Sequence, residues 1–325
     1  MFRRIALVAL PVLLLATACT QAPQAAHGPS GTSAPTSSAG SSTAPSSAGQ
    51  SSSSAATPTS SSAAPTRAVH VSLLEGDGAV YGVGMPIIAL FNVAPTSGVA
   101  FAKATQVKVN GVPAAGAWYF EPTAHKGSAL EGHFRLAKYW PAHSQISMNL
   151  PVKGLSAGPG LAFDDNLTLD FSTSFAIVST VNAINLQMTV TVDGHVYGTY
   201  PVSLGALNTR TLRGTKVIME KGVDIPMRGP GYYDAHVQWT QRLTYGGEYL
   251  HSAPWNVANL GVRSTSNGCT NLSPAAAKHL YSLMRVGDVV NYPNANGATM
   301  QLGQGYGDWN VAWSSWLTGG AIRTG

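Results

Sequence analysis

Two short segments of the chain contain the residue types that nucleophilic acyl transfer requires. The first is residues 251–255, HSAPW, and the second is residues 266–271, SNGCTN. In this chemistry a thiolate attacks a carbonyl carbon while an imidazole accepts and returns the proton. A lone cysteine is more often buried and inert, but this one follows a glycine and has a histidine upstream. The two segments favour Cys269 as a nucleophile and His251 as its partner in proton transfer.

The residues after Cys269 predict a helix. Ser273 can accept a hydrogen bond at an N-cap, and Pro274 suits the first helical position. Apolar residues then recur on one face, so we place an amphipathic helix over about residues 274–285. Cys269 would lie just before the N-terminus of this helix, where unpaired N–H groups and the helix dipole favour a thiolate. We therefore expect a Cys269 pKa below the ordinary thiol value of about 8.5.

Gly268 and the run before His251 should shape the same site. Because glycine has no side chain, Gly268 leaves the approach to the sulfur open and permits a tight turn. The backbone N–H groups of Cys269 and Gly268 could then bind the negative oxygen of a tetrahedral intermediate. His251 follows residues 248–250, EYL, which predict a strand that enters the site from the core.

The two segments resemble the active-site signature of the L,D-transpeptidases, the YkuD-like cysteine enzymes that cross-link bacterial peptidoglycan. The spacing of the histidine from the cysteine (269 − 251 = 18) fits that family, and the resemblance implies that His251 is the general base. It also implies that the next residue, Ser252, holds the imidazole through its backbone carbonyl. An ordinary strand-end serine is the alternative for Ser252.

The sequence departs from the family pattern at Asn267, because most relatives have histidine there. Asparagine cannot accept a proton at neutral pH, so we expect Asn267 to hydrogen-bond to substrate or to the turn. Asn271 stands where many relatives have arginine, although actinobacterial members also have asparagine. We expect both asparagines, together with Trp255, to bind substrate.

The N-terminal residues predict export and a membrane anchor. Two arginines, an apolar run and the sequence ATAC at residues 16–19 indicate a signal peptide over residues 1–18 that ends in a lipobox. Lipidation of Cys19 would hold the protein on the cell membrane, facing the cell wall; ordinary secretion is the alternative. Residues 19–66 are rich in Ser, Ala, Thr and Pro, which predicts a disordered linker.

The rest of the chain predicts a mainly β protein with two domains. Residues 67–176 alternate apolar and polar positions between turn sequences, which favours an antiparallel sandwich, and they resemble the immunoglobulin-like domain of actinobacterial L,D-transpeptidases. Residues 177–293 are expected to form a YkuD-like, β-rich catalytic domain with an Asp-Gly hairpin and the short helix after Cys269.

Two aromatic segments accompany the predicted catalytic domain. The stretch between Glu220 and Gly247 resembles the family's lid over the substrate groove, and we expect Tyr233 to contact substrate there, with Tyr232 as the open alternative. Residues 294–325 form a C-terminal segment whose three tryptophans, at positions 309, 313 and 316, would share one face of a short helix. We expect that face to pack against the body; sugar stacking is the alternative.

The resemblance implies a peptidoglycan L,D-transpeptidase. Cys269 would attack the L-centre of diaminopimelate in a donor tetrapeptide, release D-Ala and form a thioester, and the diaminopimelate amine of a second stem would complete a 3→3 cross-link. A protein side chain, water or a free D-amino acid also fits as acceptor. We expect a monomer. We also expect neither a metal nor another cofactor, because the histidines that might bind a metal, His125, His133 and His143, lack ligand spacing and suit surface or packing roles.

Two rival functions remain open. A sortase-like transpeptidase would need a catalytic arginine, and Arg285, the nearby candidate after the cysteine, fits a helix end. A non-catalytic wall-binding lipoprotein would explain the tether and the tryptophans but not the cysteine–histidine pair. The lack of Ser-x-x-Lys and Lys-Thr-Gly sequences excludes serine penicillin-binding enzymes, and a formal net charge of +5 gives no argument for nucleic acid.

Overall fold

The computed structural model describes residues 66–229 and 231–325. The predicted signal peptide, Cys19 and almost all of the predicted linker lie outside these residues. The described residues are mainly β, as predicted, and form a sandwich followed by a second β-rich region. In this part of the chain, no helix is long and apolar enough to cross a lipid bilayer.

The sandwich contains twelve strands and one helix. These are β1 (Arg67–Val69), β2 (Val71–Leu73), β3 (Val80–Tyr81), β4 (Ile87–Phe91), α1 (Val99–Ala104), β5 (Gln106–Val109), β6 (Val112–Pro113), β7 (Gly116–Glu121), β8 (Leu130–Leu136), β9 (Gln145–Leu150), β10 (Ser156–Gly158), β11 (Leu161–Phe163) and β12 (Leu167–Thr173). Its larger sheets have the strand orders β3-β12-β9-β5-β6 and β2-β4-β8-β7, and a small sheet has the order β1-β11-β10. Pairing is antiparallel, as expected, except for β1 with β11 and β3 with β12.

The core of the sandwich is aromatic. Phe101 from α1 lies edge-on to Phe91 and Trp118, with ring centroids 5.1 and 5.0 Å away. These side chains are buried completely or almost completely. Aromatic rings remove a large apolar area from water, so this cluster explains how a region of short strands holds together.

The second region contains nine strands and the helix that follows Cys269. These are β13 (Ile177–Asn182), β14 (Gln187–Val192), β15 (His195–Pro201), β16 (Gly214–Val217), β17 (Glu220–Gly229), β18 (Tyr232–Arg242), β19 (Tyr249–Ser252), β20 (Thr270–Leu272), α2 (Pro274–Leu283) and β21 (Val289–Tyr292). A 3-10 helix, Pro254–Asn259, follows β19. The two sheets have the orders β15-β14-β13-β21-β16 and β17-β18-β19-β20.

Local sequence signals account for several of these elements. Asp193 and Gly194 both have positive φ, 49° and 82°, as a two-residue type I′ turn requires between β14 and β15. Ser273 caps α2 by accepting a hydrogen bond from Ala276 N at 3.3 Å, and Pro274 occupies the first turn. The predicted lid is a long hairpin, β17 and β18.

The sandwich and the second region meet through backbone hydrogen bonds as well as side chains. Gly82 N donates to Val286 O and Gly84 N donates to Gly287 O, each at 2.8 Å. A Cβ atom at position 82 would lie 2.1 Å from Asp288 N, so only glycine allows this approach.

The C-terminal segment packs against the sandwich, as predicted. The tryptophans do not share one helix, because Trp309 lies in a 3-10 helix, Asp308–Asn310, and the other two lie in α3 (Trp313–Trp316). All three rings nevertheless surround the guanidinium of Arg135, whose Cζ lies 4.2 to 5.2 Å from their centroids. Trp316 is fully buried and donates from Nε1 to Ala117 O at 2.9 Å.

Candidate active site

A cavity of about 410 Å³ brings together residues that are distant in sequence. Its walls include Cys269, His251, Asn267, Asn271, Trp255 and Tyr233, which are six of the eight site residues predicted in the folded part of the chain. The other two, Ser252 and Gly268, contribute to the site through their backbones, as described below.

Two neighbouring parallel strands hold the histidine and the cysteine. His251 lies on β19 directly opposite Asn271 on β20, and Cys269 immediately precedes β20. His251 Nδ1 is 2.8 Å from Ser252 O. Because a carbonyl only accepts, Nδ1 must carry the proton, which leaves the lone pair on Nε2. The backbone contact predicted for Ser252 is therefore present.

Burial keeps the His251 ring neutral. The surrounding protein lowers the pKa of His251 below its ordinary value, mainly because burial disfavours the charged imidazolium, whereas the Ser252 carbonyl acts in the opposite direction. The Trp255 ring stacks against the imidazole, with centroids 5.9 Å apart. A neutral imidazole with a free Nε2 has the protonation state that a general base requires.

Burial also keeps the Cys269 thiol protonated. Cys269 Sγ donates to Gly247 O at 3.5 Å. Burial raises the pKa of Cys269 to about 12, and the Glu248 carboxylate adds to this rise, whereas the Tyr249 backbone and the Lys216 ammonium oppose it. In the free protein, the cysteine and the histidine are therefore both neutral.

The expectation that a helix N-terminus lowers the pKa of Cys269 is wrong. Helix α2 begins at Pro274, as predicted, but the three residues of β20 separate it from the cysteine. Strand residues each advance by roughly 3.3 Å, and the dipole effect falls off within one helical turn. The helix end is thus too far from the sulfur to offset the cost of burial.

Gly268 supports the turn before the cysteine. Its φ of +115° lies in a region that favours glycine, and its carbonyl accepts from Thr211 Oγ1 at 2.9 Å. Gly268 N donates to Ser266 Oγ at 3.2 Å. The Gly268 N–H could bind an oxyanion only by giving up this bond, so the Cys269 N–H remains the donor of choice.

The two asparagines differ in exposure. Asn267 is exposed at the cavity wall, whereas Asn271 is buried. The Asn271 side chain lies near enough to His251 to oppose the fall in the histidine pKa, and no group among the described residues hydrogen-bonds to Asn271 Oδ1. Asn271 therefore leaves an unused hydrogen-bond acceptor beside the imidazole.

The tip of the long hairpin contributes aromatic residues. Tyr232 and Tyr233 both line the cavity, and Tyr233 is 64% exposed. Burial raises the pKa of Tyr232. Tyr232 also lies near enough to Cys269 for a thiolate there to raise the tyrosine pKa further. Both tyrosines therefore border the predicted substrate groove.

Sequence reasoning missed a buried ion pair beside the cysteine. Lys216 on β16 pairs with Glu248, which also accepts from Leu212 N at 2.8 Å. The Lys216 ammonium lies 4.0 Å from the centroid of the Tyr292 ring. Lysine and glutamate usually lie on surfaces, and these two are 32 positions apart, so nothing local in the sequence indicates the pair.

The three histidines considered for metal binding lie in different surroundings. His143 is at the surface with Nε2 2.9 Å from Asp193 Oδ2, and His125 contacts Tyr245 OH at 3.2 Å. His133, by contrast, is buried among carboxylates, with Nδ1 2.7 Å from Asp308 Oδ1 and Nε2 3.5 Å from Glu131 Oε1.

Comparison with known proteins agrees with this geometry. Residues 177–291 match the family described as the L,D-transpeptidase catalytic domain, YkuD, and residues 35–156 match the bacterial Ig domain. Residues 177–291 thus belong to the L,D-transpeptidase catalytic-domain family. L,D-transpeptidase 2 of Mycobacterium tuberculosis (strain CDC 1551 / Oshkosh) is 30% identical over 258 residues, which make up 77% of this chain. The match spans 62% of the length of that relative.

Solved L,D-transpeptidases have a similar fold. The structure of LdtMt1 in complex with imipenem aligns with a TM-score of 0.57 and 26% identity, and it covers 70% of this chain and 100% of that one. An L,D-transpeptidase from Mycobacterium smegmatis aligns with a TM-score of 0.55 and 27% identity, again over 70% and 100% of the two chains.

Proposed function

We propose that this L,D-transpeptidase family member cross-links peptidoglycan stem peptides through a thioester on Cys269. The observation that carries the proposal is the pairing of β19 with β20. This pairing brings His251 and Cys269 to one cavity, with the imidazole tautomer set by Ser252. The match of residues 177–291 to the catalytic domain supports it.

The first half of the reaction transfers the donor acyl group to sulfur. Cys269 Sγ attacks the amide carbonyl at the L-centre of diaminopimelate in a donor tetrapeptide, while its proton passes to His251 Nε2. The Cys269 N–H stabilises the resulting oxyanion. The C–N bond then breaks, and His251 returns the proton to the amine of the departing D-Ala, which leaves a thioester.

The second half transfers the acyl group to a new amine. The side-chain amine of diaminopimelate in a second stem attacks the thioester and loses a proton to His251. The C–S bond breaks, the sulfur regains the proton and a 3→3 cross-link results. A neutral histidine and a neutral thiol suit both halves, because the proton moves with the attack and no separated charges have to persist in the buried cavity.

The test uses two site variants and one control. Mass spectrometry of purified protein with disaccharide tetrapeptide should detect a thioester and a cross-linked dimer. Cys269→Ala should abolish both, and His251→Ala should lower turnover by several orders of magnitude. His143→Ala removes an exposed histidine that pairs with Asp193 elsewhere in the fold and should leave turnover unchanged. Cross-linking by Cys269→Ala would refute the mechanism.

A β-lactam separates this proposal from its rivals. Because LdtMt1 has been solved in complex with imipenem, we expect imipenem to acylate Cys269 here. The intact mass should rise by one inhibitor equivalent in the wild type and not in Cys269→Ala. A sortase-like enzyme or a non-catalytic wall-binding protein has no reason to react. Lack of both an adduct and tetrapeptide consumption would favour the non-catalytic alternative.

We also propose, from the sequence alone, that the protein is an exported, lipid-anchored monomer at the outer face of the cell membrane. The lipobox at residues 16–19 supports the anchor. Metabolic labelling with a palmitate analogue should mark the wild type and not Cys19→Ala. Label in neither protein would indicate ordinary secretion, and light scattering of the purified protein tests the monomer.

A further inference from the structure

Three potential metal ligands lie on one face of the sandwich, far along the chain from Cys269. Glu121 at the end of β7 is directly opposite Glu131 on β8. His133 is two positions further along β8, so its side chain points to the same face as Glu131. The three donor atoms lie within 4.8 Å of one another.

These side chains are buried, and several of their polar atoms lack partners. Glu121, Glu131 and His133 are 4%, 1% and 1% exposed. Among the described residues, no hydrogen bond of good geometry reaches either oxygen of Glu121, Glu131 Oε1 or His133 Nε2, although the last two atoms lie 3.5 Å apart. Like charges directly opposite each other in a sheet are destabilising, and burial adds to that cost. A positive charge between the carboxylates would therefore stabilise the arrangement.

A third carboxylate orients the histidine. His133 Nδ1 is 2.7 Å from Asp308 Oδ1. If Nδ1 donates its proton to Asp308, the lone pair of Nε2 faces Glu131 Oε1 at 3.5 Å and Glu121 Oε1 at 4.0 Å. Metal-binding histidines usually donate their second ring N–H to a carboxylate in this way.

We propose that Glu121, Glu131 and His133 bind a zinc ion through one nitrogen and two carboxylate oxygens, with a fourth position for water. Ligands at about 2.0–2.2 Å from a tetrahedral zinc ion lie roughly 3.3–3.6 Å apart. The separations from His133 Nε2 are 3.5 and 4.0 Å, so small side-chain rotations complete the site.

The charges around the cluster balance when a divalent cation is present. The cation neutralises the charges of the two glutamates, and Asp308 accepts the Nδ1 proton of His133. A protonated His133 is the competing explanation, but it supplies one positive charge for three carboxylates.

A route to solvent passes the outer side of the cluster. His125 Nε2 is 4.0 Å from Glu131 Oε2, and its side chain is 28% exposed. His125, Tyr245 and Tyr306 line a surface depression at this point. A bound cation would thus reach the site by displacing His125, and it would join the sandwich to the C-terminal segment through His133 and Asp308.

The test measures zinc binding in a full-length chain that carries Cys19→Ala and Cys269→Ala, so that no thiol competes for the metal. After treatment with a chelator, this chain should bind one zinc ion in calorimetric titration. At a free zinc concentration of 100 times the dissociation constant, its thermal midpoint should rise by about 5–10 °C. Lack of zinc binding would overturn the proposal.

Ligand variants in the same thiol-free chain assign the site. Glu121→Gln should weaken zinc binding by about 100-fold or more, and Asp308→Asn by about 10- to 100-fold. His143→Gln, which removes an exposed histidine, should bind zinc like the parent. Equal affinity in Glu121→Gln and the parent would overturn the assignment. If Glu121→Gln does not fold, the parent's visible spectrum with Co²⁺ decides: intense tetrahedral bands support the site, and weak octahedral bands refute it.

Discussion

The neutral thiol of Cys269 leads to a specific prediction about its reactivity in the free protein. Burial raises the pKa of Cys269 to about 12, well above that of an exposed thiol. Each pH unit changes the thiolate fraction tenfold, so well below pH 9 this fraction should be about 1000-fold smaller than for an exposed cysteine. At pH 7 it should be about 10⁻⁵, and the difference in ionisation free energy is about 4 kcal/mol.

The perturbation is pH, and the assay is alkylation by iodoacetamide, a small neutral reagent that reacts with thiolates. In a Cys19→Ala chain, Cys269 is the only cysteine. Its alkylation rate should rise tenfold per pH unit up to at least pH 10, because the thiol stays below its pKa throughout. A peptide with a free cysteine should instead level off near pH 9. Circular dichroism at each pH confirms that the protein remains folded.

The variant His251→Ala tells a neutral pair from an ion pair. If the free protein held a thiolate beside an imidazolium, removing His251 would abolish reactivity near neutral pH. Because the pKa of His251 is lowered and that of Cys269 is raised, we expect the pH profile of His251→Ala to match that of the parent. A rate plateau below pH 9 that disappears in His251→Ala would refute the neutral pair.

Substitutions at three places in the scaffold test its stability by urea denaturation. Lys216→Met leaves Glu248 buried without its counter-charge and should cost about 3–5 kcal/mol, whereas adding Glu248→Leu should recover most of this loss; a double variant as unstable as the two single variants combined would contradict the pairing. Ser273→Ala removes the acceptor for Ala276 N at the start of α2 and should cost about 1 kcal/mol. Trp316→Ala opens a fully buried site and should cost about 3–5 kcal/mol; wild-type stability would show that the C-terminal segment packs elsewhere.

The elements that the sequence predicted best depend on local interactions. The helix after Cys269 was expected over residues 274–285 and extends from Pro274 to Leu283, because its cap, its proline and its apolar face are close together in sequence. The Asp-Gly hairpin also follows from two residues with positive φ. The cysteine and histidine were found through their motif, and parallel strand pairing brings them to one cavity.

The features that the sequence did not predict depend on tertiary contacts. The sequence predicts a lowered pKa for Cys269 because nothing in it indicates that the short strand β20 separates the cysteine from the helix. Lys216 and Glu248 meet only when β16 and β19 come together in the fold. In the sequence, His133 can be compared only with the other histidines for metal-ligand spacing. In the fold its neighbours are carboxylates, and one of them, Asp308, is 175 positions away. Burial and charge balance of this kind require the whole fold.

The position of the C-terminal segment affects the order of folding. Trp309 Nε1 donates to Gly84 O across 225 positions, and Phe120 N and Gly98 N donate to the carbonyls of Gly319 and Arg323. A growing chain therefore cannot complete the sandwich until residues 309–323 have been made. Contacts between such distant residues slow folding, because the chain must close a long loop before it gains them. Until then the β7 edge of the sandwich lacks the residues that cover it, and its assembly waits for a segment about 200 positions further along the chain.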